Sequence, residues 1–282
     1  MVEGSGKTSD YKQPLGEVKK NDLRISDLGY YKFDRFNEIQ KQGGFYLSRF
    51  KFNTIAYQRI PDQQYEALDL IKIKNQMKEG EQRTMYVFIG PEKLQTKLII
   101  ERVPEQVANE KRRKLKEDKQ NKRKILSEER LELCDINAYI TNTTEQQLSL
   151  NQIREYYSLR WQIEIIFKAW KSVYNIDKVK NMKLPRFKCI LYSQLILIIL
   201  TNKLLNYCKV CLYKTSNKEL SELKMFKTLK SVLNEFKIAI RKTKKEIMEF
   251  LDLLLAMTMK TCVKQQKKGR KKPLKILKIC LD

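Results

Sequence analysis

The stretch DLRISDLGYYKFDRFNEIQKQGGFYLSRF, residues 22–50, decides the fold. Leu23, Ile25 and Asp27 alternate with polar neighbours, the two-residue period of an extended strand, and a carboxylate ends that strand's apolar face. Phe33, Phe36 and Ile39 then recur at helical spacing up to Gln42, where Gly43-Gly44 stops the helix. Phe45 to Phe50 begins a second strand. Strand, helix and strand at this spacing predict a βαβ unit with a parallel pair, and therefore an α/β fold.

Downstream, residues 54–103 read as β-rich, chiefly Arg83 to Ile89 and Lys97 to Val103. Pro104 leads into Glu105 to Leu131, a long charged helix that reads as a solvated linker more readily than as a DNA contact. Ile136 to Thr141 is a short strand. Ser149-Leu-Asn-Gln152 has the spacing of a capping box and predicts one helix running to about Ser172. Pro185 opens a further helix, apolar through Leu205, and Lys218 to Thr258 is an amphipathic helix or helix pair. Its most apolar run, Ile190 to Leu200, is eleven residues long. A membrane span needs about 20, so it reads as a buried core helix of a soluble protein.

The 282 residues carry 58 Lys+Arg against 33 Asp+Glu, a formal charge of +25, with 42% hydrophobic residues to fill a core. That balance points to a polyanion, nucleic acid ahead of an anionic membrane. The stretch from Lys260 to Lys278 is basic without a single acid. Histidine is absent, which excludes His-based triads, His-bearing zinc sites and imidazole acid–base catalysis. Cys208 and Cys211 form a C-x-x-C pair within a helix-like run and read as ordinary buried thiols. The residues MVEGSGKTSDYK contain no apolar stretch of the kind a signal peptide needs.

On a continuous helix after Ser149, Tyr157, Arg160, Glu164, Lys168 and Lys171 fall in one stripe about 80° wide. Tyr156, Leu159, Ile163, Ile166, Phe167 and Trp170 occupy the neighbouring sector and are expected to anchor the helix on the core. Two readings fit the stripe equally. In one, Glu164 ligates a metal ion while Arg160 and Lys171 hold phosphates. In the other it is a solvated ion-pair face with Glu164–Lys168 as its best pair.

The string YYSLRWQIEIIFKAWKS resembles the signature helix of bacterial insertion-sequence transposases of the insertion sequence 4 family, pattern Y-x2-R-x3-E-x6-K, met by Tyr157, Arg160, Glu164 and Lys171. Residues 21–50, with Asp27 before Leu28-Gly29-Tyr30, resemble that family's stretch around its second catalytic aspartate. Ile140-Thr-Asn142 and the basic ending CVKQQKKGRKKPLKIL are also similar to this family, nearest its insertion sequence 231 subgroup.

The resemblance implies a partial ribonuclease-H-like core interrupted by a β-rich insertion and followed by C-terminal helices. Its segments would be 1–53 (core strand of the second Asp), 54–141 (insertion with the charged helix), 142–215 (core completion with the signature helix) and 216–282 (basic helical region). It implies metal-dependent DNA cleavage and strand transfer, with Asp27 and Glu164 as catalytic carboxylates and ligands of a two-metal Mg²⁺ or Mn²⁺ site. Tyr157, Arg160 and Lys171 would position DNA phosphates. The implied partners are double-stranded DNA, as transposon ends and target, and further copies of the chain in the active complex; the implied location is the bacterial cytoplasm at the nucleoid, with no membrane. The family's first aspartate has no counterpart: TSDYKQP offers no apolar strand before Asp10, and the span to Asp27 is too short for the intervening elements. The expectation is thus a truncated or split copy, with a non-enzymatic DNA-binding remnant as the alternative. The family's tryptophan for an extruded base is also unmatched, Tyr86 and Phe88 being possible substitutes that read better as packed strand residues.

Overall fold

The computed structural model describes residues 16–121, 126–178, 181–265 and 271–277. Asp10, Cys280 and much of the basic ending lie outside them. The chain divides into two compact units, residues 1–157 and 158–282.

The first unit is a mixed α/β structure. β1 (Leu23–Ser26), α1 (Phe33–Lys41) and β2 (Phe45–Arg49) form the expected βαβ unit, with β1 and β2 parallel and Ser26 opposite Ser48. β3 (Ala56–Arg59), β4 (Tyr65–Ala67), β5 (Gln82–Ile89), β6 (Leu94–Arg102) and β7 (Ile136–Thr141) complete one seven-stranded sheet of order β1-β2-β7-β6-β5-β3-β4. All its pairs other than β1–β2 are antiparallel. Strands on both sides of position 54 therefore hydrogen-bond into the same sheet.

The strand alternation sends side chains to two cores. On one face Tyr46, Leu98, Ile100 and Ile140 pack with Phe36 and Ile39 of α1. On the other, Leu47, Ile99 and Tyr139 pack with Ile153 and Tyr157 of α5 (Leu150–Ser158). The turn before β2 is set by glycine: Gly43 has φ +76°, and a Cβ on Gly44 would lie 2.5 Å from Val18 Cγ1. Where β7 ends, Asn142 satisfies β2, its Oδ1 accepting from Tyr46 N at 2.8 Å and its Nδ2 donating to Gly44 O at 3.1 Å.

The charged segment after Pro104 is not a solvated linker throughout. It forms α3 (Glu105–Asn121) and α4 (Glu128–Glu132), and Arg112 reaches from α3 to the buried Asp135. α2 (Leu70–Asn75) brings Lys74 to the same carboxylate at 3.6 Å and to Glu132 at 3.1 Å. Tyr86, expected to pack, is 67% exposed; Phe88 does pack, against Tyr65.

The second unit is helical: α6 (Trp161–Ser172), α7 (Leu184–Ser216), α8 (Glu222–Ser231), α9 (Leu233–Ala239), α10 (Lys244–Thr261) and α11 (Pro273–Leu277). Its core gathers Ala169, Leu205, Cys208, Met225, Phe226 and Leu254. The segment 218–258 thus holds three helices instead of one or two, the last opened by a full capping box between Thr243 and Glu246. Cys208 is fully buried, and burial pushes its thiol up to about 11.

α7 departs most from expectation. It runs 33 residues, and by length and composition it can cross a membrane: an 18-residue stretch has mean hydropathy 1.6, and only 28% of that stretch is buried. Ile198, Thr201, Leu205, Cys208 and Leu212 form its buried stripe, whereas Tyr192, Ile196, Ile199 and Leu200 are exposed. Apolar run length alone does not report burial, since a helix covered along one stripe leaves the rest to solvent.

Candidate active site

The single helix expected from Ser149 to Ser172 is two helices. α5 ends at Ser158, Leu159 and Arg160 form a turn, and α6 starts at Trp161. No Pro or Gly marks the break. Each half follows its own core: Ile153 and Tyr157 enter the sheet cluster, Ala169 the helical one. The capping box forms in part, with Gln152 Oε1 accepting from Ser149 N at 3.1 Å and also from its hydroxyl at 2.9 Å. The boundary between the compact units therefore falls inside the signature, Tyr157 on one side and Arg160, Glu164 and Lys171 on the other.

In the sheet unit, Asp27 stands directly after β1 with extended backbone, and its carboxylate accepts from Leu28 N at 2.7 Å, opening a 3₁₀ turn over Leu28–Tyr30. The parallel register that sets Ser26 beside Ser48 carries Asp27 and Arg49 to the same end of adjacent strands. The Arg49 guanidinium lies 5.6 Å from the Tyr157 ring centre. Tyr157 is buried and meets Tyr139 edge-on, centroids 5.4 Å apart.

In the helical unit, the Arg160 guanidinium donates to the Glu164 carboxylate one turn on. Among the described residues Glu164 pairs with Arg160 and not with Lys168. Glu164, Lys168 and Lys171 do share a stripe, lining an open groove of about 450 Å³ with Phe167, Ser172 and Lys178. Ile163 and Phe167 do not anchor the helix; both are about half exposed, and Ala169 with Trp170 takes that role. The groove presents three ammonium groups around one carboxylate already held by a guanidinium, an environment that attracts anions.

Sequence reasoning missed Arg49 and Lys178. The parallel register of β1 and β2 could have found Arg49 from Asp27. Nothing in the motif spacing points to Lys178, which joins the groove from the turn after α6. Among the described residues no three His, Cys, Asp or Glu side chains cluster as a metal site. Asp27 and Glu164 are hard oxygen donors of the kind Mg²⁺ takes, and by themselves they are an incomplete set.

Residues 5–200 match the family model described as the transposase DDE domain. The chain is 35% identical over 272 residues to the transposase for insertion sequence element IS1151 of Clostridium perfringens, covering 92% of this chain and 58% of that protein. It is 32% identical over 285 residues to the transposase for element IS231B of Bacillus thuringiensis subsp. berliner, covering 95% and 60% respectively. A putative transposase InsL for element IS186A of Escherichia coli is 21% identical over 190 residues. The chain thus spans somewhat over half the length of the curated relatives it matches. With the family model covering most of its length and both resembling motifs inside the match, the chain belongs to the DDE-domain transposases.

Proposed function

We propose that this chain acts in the cleavage and strand transfer of insertion-sequence DNA, contributing two carboxylates, Asp27 and Glu164, to the catalytic set. The observation that carries this reading is the groove on α6, where Glu164 is held by Arg160 with Lys168 and Lys171 beside it. In it, Arg160 fixes the orientation of Glu164 and adds positive charge beside a phosphate, and Lys171 holds a neighbouring phosphate as a point charge. Tyr157, with the Arg49 guanidinium 5.6 Å from its ring centre and Tyr139 edge-on beside it, would help position a DNA phosphate.

The parallel β1–β2 pair with Asp27 at its end supports a ribonuclease-H-like reading of the sheet unit, in which 1–53 and 142–215 belong to the core, 54–141 is an insertion and 216–282 a basic helical region. Asp27 and Glu164 would ligate Mg²⁺ or Mn²⁺, which in a two-metal site polarises the phosphodiester and stabilises attacking and leaving oxygens. The DNA partner would be transposon ends and target, engaged by a self-associated complex at the nucleoid.

The test is metal-dependent cleavage of a duplex carrying the ends of the encoding element. The expected result is Mg²⁺- or Mn²⁺-dependent cleavage once a polypeptide supplying the third carboxylate is present. That activity should vanish in Glu164→Gln and in Asp27→Asn. Cleavage that survives both substitutions would overturn the assignment. DNA binding without cleavage under any supplementation would favour the second reading, a non-enzymatic DNA-binding remnant, for which the +25 charge speaks.

A further inference from the structure

We propose that Arg49, Lys111 and Arg154 form a separate phosphate-contact patch on the sheet unit, which grips the DNA backbone next to Tyr157. The proposal rests on the reading above that the chain handles DNA. Three elements distant in sequence supply the patch: the end of β2, the middle of α3 and α5. The antiparallel pairings set Arg49 opposite Tyr139 and Glu101 opposite Asn137, so the side chains meet at one end of one sheet face.

The patch holds one carboxylate. Glu101 accepts from Asn137 Nδ2 at 2.9 Å and pairs with Arg154 at 3.4 Å. The Lys111 ammonium donates to Asn137 Oδ1 at 2.8 Å and to the Ile136 carbonyl at 3.0 Å, both neutral oxygens. Among the described residues neither Lys111 nor Arg49 has a carboxylate ion pair. Burial, with Arg49 and Arg154 nearby, pushes the Lys111 ammonium down to about 8, only partly offset by Cys134 and Glu101. A lysine that served only to tether β7 would need no guanidinium neighbours. Three cations around one acid are in excess by two charges, and the guanidinia of Arg49 and Arg154 stand exposed above the half-buried ammonium. A phosphodiester oxygen between them cancels that excess, with the planar forks of the two arginines suited to its geometry. A contact to phosphate carries no sequence information, so the patch reads backbone and not sequence.

The experiment is salt-dependent binding of a fluorescein-labelled duplex without terminal repeats, using the full chain. Arg49→Gln, Arg154→Gln and Lys111→Met should each reduce the log–log salt slope by ~0.9, the value of one released phosphate contact. Arg59→Gln, on β3 at the far side of the sheet, should leave the slope unchanged. Calorimetry near pH 8 in two buffers should show proton uptake on binding, because an adjacent phosphate raises the Lys111 ammonium, and that uptake should disappear in Lys111→Met. If Lys111→Met does not fold, the two exposed arginines carry the test. Patch variants with the wild-type slope overturn the proposal, as does the absence of any DNA binding. Slope losses in a chain that never cleaves would leave the patch standing and sink the catalytic reading, whereas restored cleavage with unchanged slopes would do the reverse.

Discussion

The sheet unit and the helical unit differ in the balance of long-range and local partners that their buried polar groups find. In the sheet unit the partners are far apart in the chain: Tyr46 N on Asn142, the Tyr46 hydroxyl on Thr96 at 2.9 Å, Lys74 on Glu132 and Asp135. In the helical unit Thr201 and Thr258 turn back on the carbonyls of Leu197 and Leu254, each at 2.8 Å and four residues earlier, and Thr201 also accepts from the Tyr174 hydroxyl at 2.8 Å. Long-range partners specify which strand lies beside which, since a wrong neighbour leaves a buried group unpaired. Local back-bonds specify nothing beyond the helix itself. In the helical unit the Tyr174–Thr201 bond is such a long-range partner within a mostly apolar core, and one side of α7 is left exposed.

The strongest way to break this comparison is Asp135→Ala, which strips Lys74 and Arg112 of their shared buried carboxylate. The expected cost is about 3–5 kcal/mol in urea unfolding; a cost comparable with that of an exposed pair would show that long-range charge pairing does not hold the sheet unit. Next comes α7. Ile198→Ala, on the buried stripe, should cost about 2–4 kcal/mol. Ile196→Ala, 58% exposed, should cost no more than about 0.5 kcal/mol. Equal costs would mean that the open side of α7 is covered in solution. Removing the cap of α10 by Thr243→Ala should cost about 1 kcal/mol, read from the thermal midpoint.

The finest contrast is a direction. Lys111 has its ammonium pushed down from 10.5 to about 8, first by burial and then by Arg49. Between those values the unfolded chain holds a proton that the folded chain has released, so wild-type stability should rise with pH relative to Lys111→Met across that window. Below about 8 both states hold the proton and the two proteins should run parallel. A difference that stays flat from pH 8 to 10.5 would show that Lys111 is not desolvated.

Much of the site was legible in one dimension. Asp27 after an alternating strand, and Glu164, Lys168 and Lys171 at helical spacing, appear in the structure on the end of β1 and on one groove. What failed was the assumption of a single helix. The wheel that joined Tyr157 to Arg160 needs unbroken turns, and the chain turns at Leu159–Arg160 without a Pro or Gly to announce it. Arg49 could be placed near Asp27 from the expected parallel pair, but its neighbours Tyr157 and Tyr139 are reached only through the pairing with β7 and the packing of α5.

By itself the sequence determined the local periods: the βαβ unit of residues 22–50, the positive charge, the absence of imidazole chemistry and the signature spacing that carries family membership. These depend on residues a few positions apart, whose geometry follows from backbone repeat. The tertiary structure alone decided that residues 54–141 contribute strands to the same sheet as β1 and β2, that the signature is shared between two compact units, and that α7 is buried on one stripe only. Each of these depends on which surfaces meet across the fold, and a periodic pattern records that a face is apolar without recording what, if anything, covers it.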